Sequence, residues 1–434
     1  MRNTKALFPA AVIAAGALLL SSCSSDGGDG GGSADGPITL EYWAWGTSQQ
    51  PLVDAWNANN PDIQVTRTDA GGGTDSSAKL LTATRAGNAP DLALIEFNTL
   101  PAMIVGDVAA DITEYTEDAG DAFTESVWGL TSFNGATYGV PQDVGPMALV
   151  YNQARFTELG IEVPTTWAEF ADAAVAVRAA DPNTYLTTFA PGEFGGFAGY
   201  AQQAGAEWWS VDGDEWTVGI DSEESLEVAD YWQDLIDQDA VLAEPLLTPE
   251  WNSKLNDGQI LSWPAALWAP GVIYGVAESQ AGDWAIAPLP QWEEENSDVA
   301  FQGGSAISVT TSSEHQEAAA EFALWMNTSD EAAAIQIEAG QYPASIAGQE
   351  LTLESDPPQL MPQQADYWEV AAEIAANTIP DISWGPNVNV ASSAFQDAVA
   401  DAITNGTPLR DALVETQQVV VDDMTTTGFV VSEN

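Results

Sequence analysis

Three tryptophans stand at positions that suit contact with a ligand. Trp45 follows an alternating apolar segment, and Trp268 and Trp384 each stand two residues before a proline, where regular structure is disfavoured. Flat indole rings pack against the C–H faces of a ring-shaped ligand, and carboxylates or amides at the rim bind its hydroxyl groups. Core packing is the alternative for any single tryptophan, and we expect it for Trp56 and Trp232, which lie on predicted helix faces.

The composition excludes several other kinds of chemistry. Lys and Arg total 9 against 65 Asp and Glu, and the formal net charge of -56 repels phosphate backbones, so nucleic acid is not a partner. His315 is the only histidine and Cys23 the only cysteine, which rules out multi-histidine metal sites, thiolate clusters and internal disulfides. We expect no metal and no cofactor. His315 lies in the polar opening of a predicted helix, where an exposed position is a simpler interpretation than catalysis.

The first 36 residues predict a secreted protein held at the membrane by a lipid. A short cationic start precedes an apolar run over 6–20, which is typical of a secretory signal and short for a membrane span. The run ends in Leu20-Ser21-Ser22-Cys23, which resembles the bacterial lipobox, whose cysteine receives diacylglycerol and acyl chains such as palmitate. We predict a signal peptide over 1–22, lipidation of Cys23 and a flexible Gly/Ser/Asp tether over 23–36. An ordinary signal peptide with a chance cysteine is the alternative.

Alternation of strand and helix patterns predicts an α/β fold. The predicted strands cover 38–45, 63–68 and 91–95, and predicted helices cover 50–59 and 76–86 between them. Short connections of this kind imply a parallel sheet covered by helices, in which ligands bind beyond the carboxyl ends of the strands. Trp45 and Gly46 follow the first strand, and Glu96 and Phe97 follow the third. We therefore expect these four residues at one cleft.

Five segments, in order, carry a family resemblance. A helix with a "G-x-x-P-D" turn is resembled by Leu81–Leu92, and a "YGVP…YN" segment by Tyr138–Asp143 with Leu149–Asn152. An "F-x-x-x-G…P-x-T-W" signature is resembled by Phe156–Trp167, and a segment ending in "PLP" by Gly258–Trp268 with Trp284–Pro290. A Gly-Gly strand with its helix is resembled by Gly303–Ile307 with Ala318–Phe322. Together they resemble the family 1 extracellular solute-binding proteins of ABC importers, in the maltose-binding-protein-like, sugar-binding branch.

The resemblance implies a type II periplasmic-binding-protein-like fold with two lobes, each a sheet flanked by helices and joined by hinge segments. The implied boundaries are 37–145 with 301–345 for lobe 1, 146–300 with 346–434 for lobe 2, and hinges near 144–150, 300–303 and 344–348. It also implies a monomer that is not an enzyme. Such a protein captures a mono- or oligosaccharide outside the cell and delivers it to the permease subunits of an ABC importer, touching the membrane through its N-terminal lipid alone.

The resemblance adds site residues to the tryptophans. Glu96, Gln142 and Asp143 match family positions that bind sugar hydroxyls. Glu193 and Phe194 lie in a segment that resembles a lobe-two loop carrying an acid and an aromatic residue. A solvated turn or a helix cap is the alternative for the acids, since acids are abundant in this chain.

Two glycines and a tyrosine complete the candidates. Gly303 and Gly304 would let main-chain amides approach a ligand closely, although a tight turn explains the pair equally well. Tyr342, after Gly340-Gln341, is a further candidate.

Two other functions remain open from the sequence. A surface glycosidase needs two carboxylates about 5–10 Å apart, and the abundant acids do not exclude it. A binding protein for a cationic solute, such as a polyamine or peptide, would suit an acidic cleft. The ordered family segments and the absence of a recognisable glycosidase signature argue against the glycosidase, and tryptophans at strand ends favour a sugar over a cationic solute.

Overall fold

The computed structural model describes residues 36–213, 215–379 and 382–433. The predicted signal peptide, Cys23 and all but the last residue of the predicted tether lie outside the described residues. From Pro37 onward the chain packs as a single unit. No helix in the described ranges combines the length and the apolar character that a bilayer crossing requires.

The elements alternate between strand and helix for much of the chain. The strands are β1 Ile38–Trp43, β2 Ile63–Thr68, β3 Leu92–Glu96, β4 Ser132–Phe133, β5 Ala136–Thr137, β6 Val140–Asp143, β7 Met147–Asn152, β8 Thr188–Phe189, β9 Trp209–Asp212, β10 Glu215–Val218, β11 Leu242–Ala243, β12 Ser262–Ala266, β13 Trp284–Pro288, β14 Ser305–Val309 and β15 Val430–Glu433. The helices are α1 Gln49–Asn59, α2 Gly73–Ala86, α3 Leu100–Val105, α4 Glu125–Gly129, α5 Gln153–Leu159, α6 Trp167–Ala180, α7 Phe194–Gln203, α8 Glu223–Asp237, α9 Pro249–Asn256, α10 Ala269–Val276, α11 Gln316–Thr328, α12 Asp330–Glu338, α13 Ile346–Thr352, α14 Tyr367–Ala376, α15 Val388–Asn405 and α16 Leu409–Thr427.

The first sheet has the strand order β2-β1-β3-β14-β6. β1 pairs in parallel with β2 and β3, whereas β14 pairs antiparallel with both β3 and β6. The side chains of Leu92–Ile95 in β3 are buried, as expected for a central strand covered by helices on both faces. The predicted strand over 63–68 is confirmed, and the first strand ends at Trp43, two residues earlier than predicted.

Helix boundaries follow from local capping chemistry. Thr166 accepts a hydrogen bond from the amide of Glu169, and the Glu169 carboxylate accepts one from the Thr166 amide, which forms a capping box at the start of α6. Gly87 adopts a left-handed conformation and ends α2. His315 precedes the first residue of α11 and is exposed, which confirms the interpretation made from its sequence context.

A second sheet has the order β12-β7-β13, with all pairs antiparallel, and every residue of β7 is buried. Only three residues separate β6 of the first sheet from β7 of the second. The fold is therefore α/β with two main sheets flanked by helices, as predicted.

Three chain segments run side by side between the two sheets, and we refer to them as the crossing segments: 142–147, 300–302 and 342–344. Main-chain hydrogen bonds tie them together: Met147 N to Ala300 O at 3.0 Å, Gln302 N to Gly145 O at 2.8 Å, Val144 N to Tyr342 O at 3.2 Å and Ala344 N to Gln142 O at 3.0 Å.

Aromatic residues fill much of the core. Trp56 is buried against Phe322 with ring centroids 5.4 Å apart, and Trp232 is buried in a cluster with Trp167 and Phe170. These contacts confirm core packing for Trp56 and Trp232.

Candidate ligand-binding site

Trp268 lies where β12 gives way to α10, at the position that precedes the first helical residue. The ring is half-buried and packs edge-to-face on Trp263, with centroids 5.4 Å apart. Its indole N–H donates to the main-chain carbonyl of Gln302 at 2.9 Å. A Cβ added at Gly303 would lie 3.5 Å from the same indole nitrogen. The structure therefore brings Trp268 and Gly303 together beside a crossing segment.

Two of the predicted acids end the strands on either side of β14 in the first sheet. Ser305, the first residue of β14, is paired in register with Glu96 of β3 on one side and with Asp143 of β6 on the other. Its hydroxyl donates to the carboxylate of Asp143. Glu96 is half-buried and Asp143 is buried. The acids thus stand in one row at the edge of the sheet, separated by a serine.

The third acid, Glu193, lies in the half of the molecule that contains the second sheet. Glu193 stands directly before α7, is half-buried, and accepts a hydrogen bond from the Gln302 side-chain amide at 3.1 Å. The negative charge of Glu193 contributes to raising the pKa of Glu96, so the two carboxylates interact electrostatically.

Burial shifts the titration of all three acids upward. It raises the pKa of Glu96 to about 7, with smaller contributions from the negative charges of Glu193 and Asp143. It raises the pKa of Asp143 to about 6, against the opposing effect of the hydrogen bonds from Ser305. The pKa of Glu193 is also raised by burial, and the hydrogen bond from Gln302 opposes that rise. Three acids with perturbed pKa values in one region are typical of a functional site.

A gap opens between the two halves at residues that follow two of these acids in the chain, Phe97 after Glu96 and Gly195 after Glu193. Its lining comprises Phe97, Asn98, Leu130, Gly195, Phe301, Gly303, Ile382 and Trp384. Trp384 is half-buried, and its ring centroid lies 6.1 Å from that of Phe194. A Cβ added at Gly304 would lie only 2.9 Å from the Phe97 ring, so this glycine lets the ring approach the main chain. The gap therefore unites Phe97, Gly303 and Trp384 of the predicted set.

Other predicted residues are placed differently. Phe194 is buried among aromatic rings, with centroids 5.2 Å from Trp208 and 5.7 Å from Phe395. Tyr342 is buried and stacked on Trp368 at 6.4 Å. The assignment of both residues as ligand contacts stays a prediction.

Gln142 is buried next to Asp143, and its side-chain amide oxygen and nitrogen have no hydrogen-bond partner within the protein. Buried amides normally have partners, so Gln142 is a candidate for a ligand or an ordered water.

Trp45 and Gly46 lie after β1, as expected. The Trp45 ring is half-buried and lies against Gly72, where an added Cβ would come within 3.2 Å of three indole carbons. Gly46 is exposed, with a φ of 94° and open space around it. Their role in ligand binding also stays a prediction.

The sequence did not identify Gln302 or Ser305. Gln302 is buried at 5% exposure and contacts both Trp268 and Glu193. The one sequence feature that could have indicated a buried role for Gln302 is its position between an apolar pair, Ala300-Phe301, and the glycine pair that follows.

Positive charge is absent from the lining of the gap that the structure describes. Five of the chain's basic residues form ion pairs elsewhere: Arg67–Asp69, Arg155–Glu158, Arg178–Asp239, Lys254–Glu244 and Arg410–Asp230. Among the described residues, no three His, Cys, Asp or Glu side chains meet as a metal ion would require.

Sequence comparison gives related proteins of similar length. The family model for bacterial extracellular solute-binding proteins matches residues 46–333. The arabinooligosaccharide-binding protein of Halalkalibacterium halodurans is 28% identical over 314 residues, which cover 69% of this chain and 69% of that protein.

Solved structures share the fold across nearly the whole chain. An ABC-transporter-associated binding protein from B. animalis subsp. lactis, solved with β-1,6-galactobiose, has a TM-score of 0.85 and 26% identity. The galacto-N-biose/lacto-N-biose I-binding protein of Bifidobacterium longum, solved with lacto-N-biose, has a TM-score of 0.82 and 28% identity. Each match covers 92% of this chain and all of the other. The fold is the two-lobed periplasmic-binding fold, and the chain belongs to the bacterial extracellular solute-binding protein family.

Proposed function

We propose that this protein binds an uncharged oligosaccharide outside the cell and delivers it to an ABC importer. The observation that carries the proposal is that Gln302 of one crossing segment contacts both Trp268 and Glu193, while Glu96 and Asp143 stand in one row at the end of the first sheet. The names of the related arabinooligosaccharide-binding protein and of the two galactose-containing disaccharide complexes support the same ligand class.

The chemistry of the gap matches a saccharide. Indole and phenyl faces from Trp268, Trp384 and Phe97 offer packing surfaces for sugar C–H groups. Glu96, Asp143 and Gln142 offer acceptors and donors for hydroxyl groups at the rim. Because no Lys or Arg lines the described part of the gap, a phosphorylated or acidic sugar would find no positive charge there to offset its own. An uncharged ligand therefore fits best.

Delivery would depend on hinge closure about the crossing segments. In this proposal, lobe 1 comprises 37–145 with 301–345, and lobe 2 comprises 146–300 with 346–434. The first sheet would lie in lobe 1 and the second in lobe 2, with the hinges near 144–150, 300–303 and 344–348. A saccharide that contacts both lobes stabilises the closed form by the contacts that only this form makes. The permease would then recognise the closed form.

We place the protein on the extracytoplasmic face of the membrane as a monomer. The proposed signal peptide over 1–22 is removed, Cys23 carries the lipid, and residues 23–36 form the tether.

Calorimetry on the chain lacking residues 1–22 tests the ligand class. The panel contains arabino-oligosaccharides, β-1,6-galactobiose and lacto-N-biose. We expect one of these saccharides to bind, with one molecule per chain, and to raise the unfolding temperature of the protein. The panel also includes glucose 6-phosphate as an anionic sugar and spermidine as a cation. Binding of spermidine alone would favour the cationic-solute alternative. Recovery of shorter sugars after incubation would favour the glycosidase.

A further inference from the structure

Gln302 makes four polar contacts from one buried position. Its amide N–H donates to Gly145 O at 2.8 Å, and its carbonyl accepts from the indole of Trp268 at 2.9 Å. Its side-chain oxygen accepts from the amide of Ala266, the last residue of β12, at 3.3 Å. Its side-chain nitrogen donates to Glu193 at 3.1 Å. One residue therefore joins two crossing segments, a strand of the second sheet, an indole and a carboxylate.

The two ends of the side chain have opposite tasks. The oxygen must accept from the Ala266 amide, and the nitrogen must donate to a carboxylate, so a primary amide fits both demands. A carboxylate at 302 would still accept from Ala266 but would repel Glu193. A hydrocarbon would leave a buried amide and a half-buried carboxylate without partners, which costs free energy.

The surrounding main chain leaves room for this side chain. A Cβ at Gly196, in the first turn of α7, would lie 3.1 Å from the Gln302 side-chain nitrogen. A Cβ at Gly145 would lie 2.3 Å from the Gln302 carbonyl oxygen. Glycine at these two places permits the close approach on which the contacts depend.

We infer that Gln302 is a positioning residue that sets Trp268 and Glu193 in place for the saccharide and couples both to the crossing segments. The inference rests on the proposed function, since it assigns the ligand to these two side chains. Movement of the crossing segment at 302 would shift the indole and the carboxylate together, so ligand contact and hinge position are linked through one residue.

A double-mutant cycle between positions 193 and 302 tests the inference. In the wild-type background, Gln302→Glu should weaken binding of the saccharide identified above by about 10- to 100-fold, because two carboxylates then face each other. In the Glu193→Gln background the same change should cost at most about 3-fold, because the amide at 193 can donate to the carboxylate at 302. Equal losses in both backgrounds would overturn the inference.

The pH profile gives a second readout that a purely structural role would not produce. Protonation of one carboxyl in the Gln302→Glu variant restores a donor between 193 and 302. The loss of affinity relative to wild type should therefore shrink as the pH falls from 8 to 5, and a loss that is constant across this range contradicts the inference. Glu96 and Tyr200 also interact electrostatically with Glu193. Both are present in the wild type and in the variant, so the comparison of the two proteins removes their own effect on the pH profile.

Gly196→Ala supplies a test that does not depend on the folding of Gln302→Glu. Alanine favours the helix, so the unfolding temperature should not fall, yet its Cβ must displace the Gln302 amide and weaken saccharide binding several-fold. Gly275→Ala in α10, where an added Cβ meets nothing within 4 Å, is the matched control. Unchanged affinity in Gly196→Ala overturns the inference. A wild-type chain that binds no saccharide overturns the proposed function itself, and the two failures are thereby distinguished.

Discussion

Ser305 donates its hydroxyl hydrogen to the carboxylate of Asp143, its partner on the adjacent strand. The same serine is paired on its other side with Glu96. The first sheet thus ends in two acids that a neutral donor separates, and burial opposes the ionisation of both. Titration of these acids is therefore coupled to the stability of the fold.

Stability should depend on pH through Glu96. Its pKa rises from 4.5 to about 7 in the folded protein, so between these values the native state binds more protons than the unfolded state. Linkage then makes the free energy of unfolding fall as the pH rises through this window. Glu96→Gln should be more stable than wild type at pH 8, by at most about 3 kcal/mol, and the difference should vanish below pH ~4.5.

Urea unfolding of the unliganded protein at pH 4, 6 and 8 measures this difference. Glu354→Gln, at an exposed acid, is the control and should show little pH dependence relative to wild type. A Glu96→Gln variant that tracks wild type at all three pH values would mean that Glu96 is not held in a desolvated position.

Trp268→Ala should weaken saccharide binding by about 1–3 kcal/mol, because the packing surface for sugar C–H groups is removed. Trp325→Ala removes another half-buried indole, which packs on Trp56 away from the gap, and should leave the affinity unchanged. Calorimetry on both variants gives the comparison. Equal affinities for Trp268→Ala and wild type would remove Trp268 from the site.

Gly304→Ala and Gly303→Ala should differ although both glycines have positive φ. The φ values are 83° and 74°, so each alanine incurs a similar backbone cost of about 1–2 kcal/mol. An alanine Cβ at 304 would also lie 2.9 Å from the Phe97 ring, whereas at 303 it would lie 3.5 Å from the nearest atom, the Trp268 nitrogen. We expect the lower unfolding temperature for Gly304→Ala in differential scanning calorimetry. The opposite order would show that the Phe97 ring moves aside at little cost.

Cys23→Ser should release the protein from the membrane. Without the thiol no diacylglycerol can be attached, and the predicted tether has no apolar segment to hold the chain there. Fractionation of expressing cells, with labelled palmitate as the tracer, should move the protein to the soluble extracytoplasmic fraction without label. Ser22→Ala, beside the cysteine, is the control and should stay labelled. A Cys23→Ser protein that still carries the palmitate label would falsify the proposed lipid anchor.

The sequence predicted the elements better than it predicted the site. Periodicity located β2 and α1, because this signal is local to each element. The position of Glu96 followed from a strand end, whereas Asp143 was predicted from the family resemblance. Contacts between residues far apart in sequence were not accessible in this way: Gln302 meets Glu193 across 109 residues, and Ser305 meets Asp143 across 162.

Phe194 illustrates the same limit. Its neighbour Glu193 accepts a hydrogen bond from Gln302, and the family resemblance of their segment implied that both residues contact the ligand. The start of α7 turns the phenyl ring the other way, into the cluster with Trp208 and Phe395. Helix geometry separates side chains that are consecutive in the chain, and a sequence motif does not record which of them faces inward.

The hydrogen-bonded crossing segments restrict how the two halves can move. Three extended chains lying side by side and joined through their main-chain amides resist shear, since sliding would break Met147 N to Ala300 O and Gln302 N to Gly145 O together. Twisting about the common direction of the three chains preserves those bonds. In the proposed hinge mechanism, ligand entry would follow this rotation, and a cross-link that spans two of these chains should leave the rotation intact.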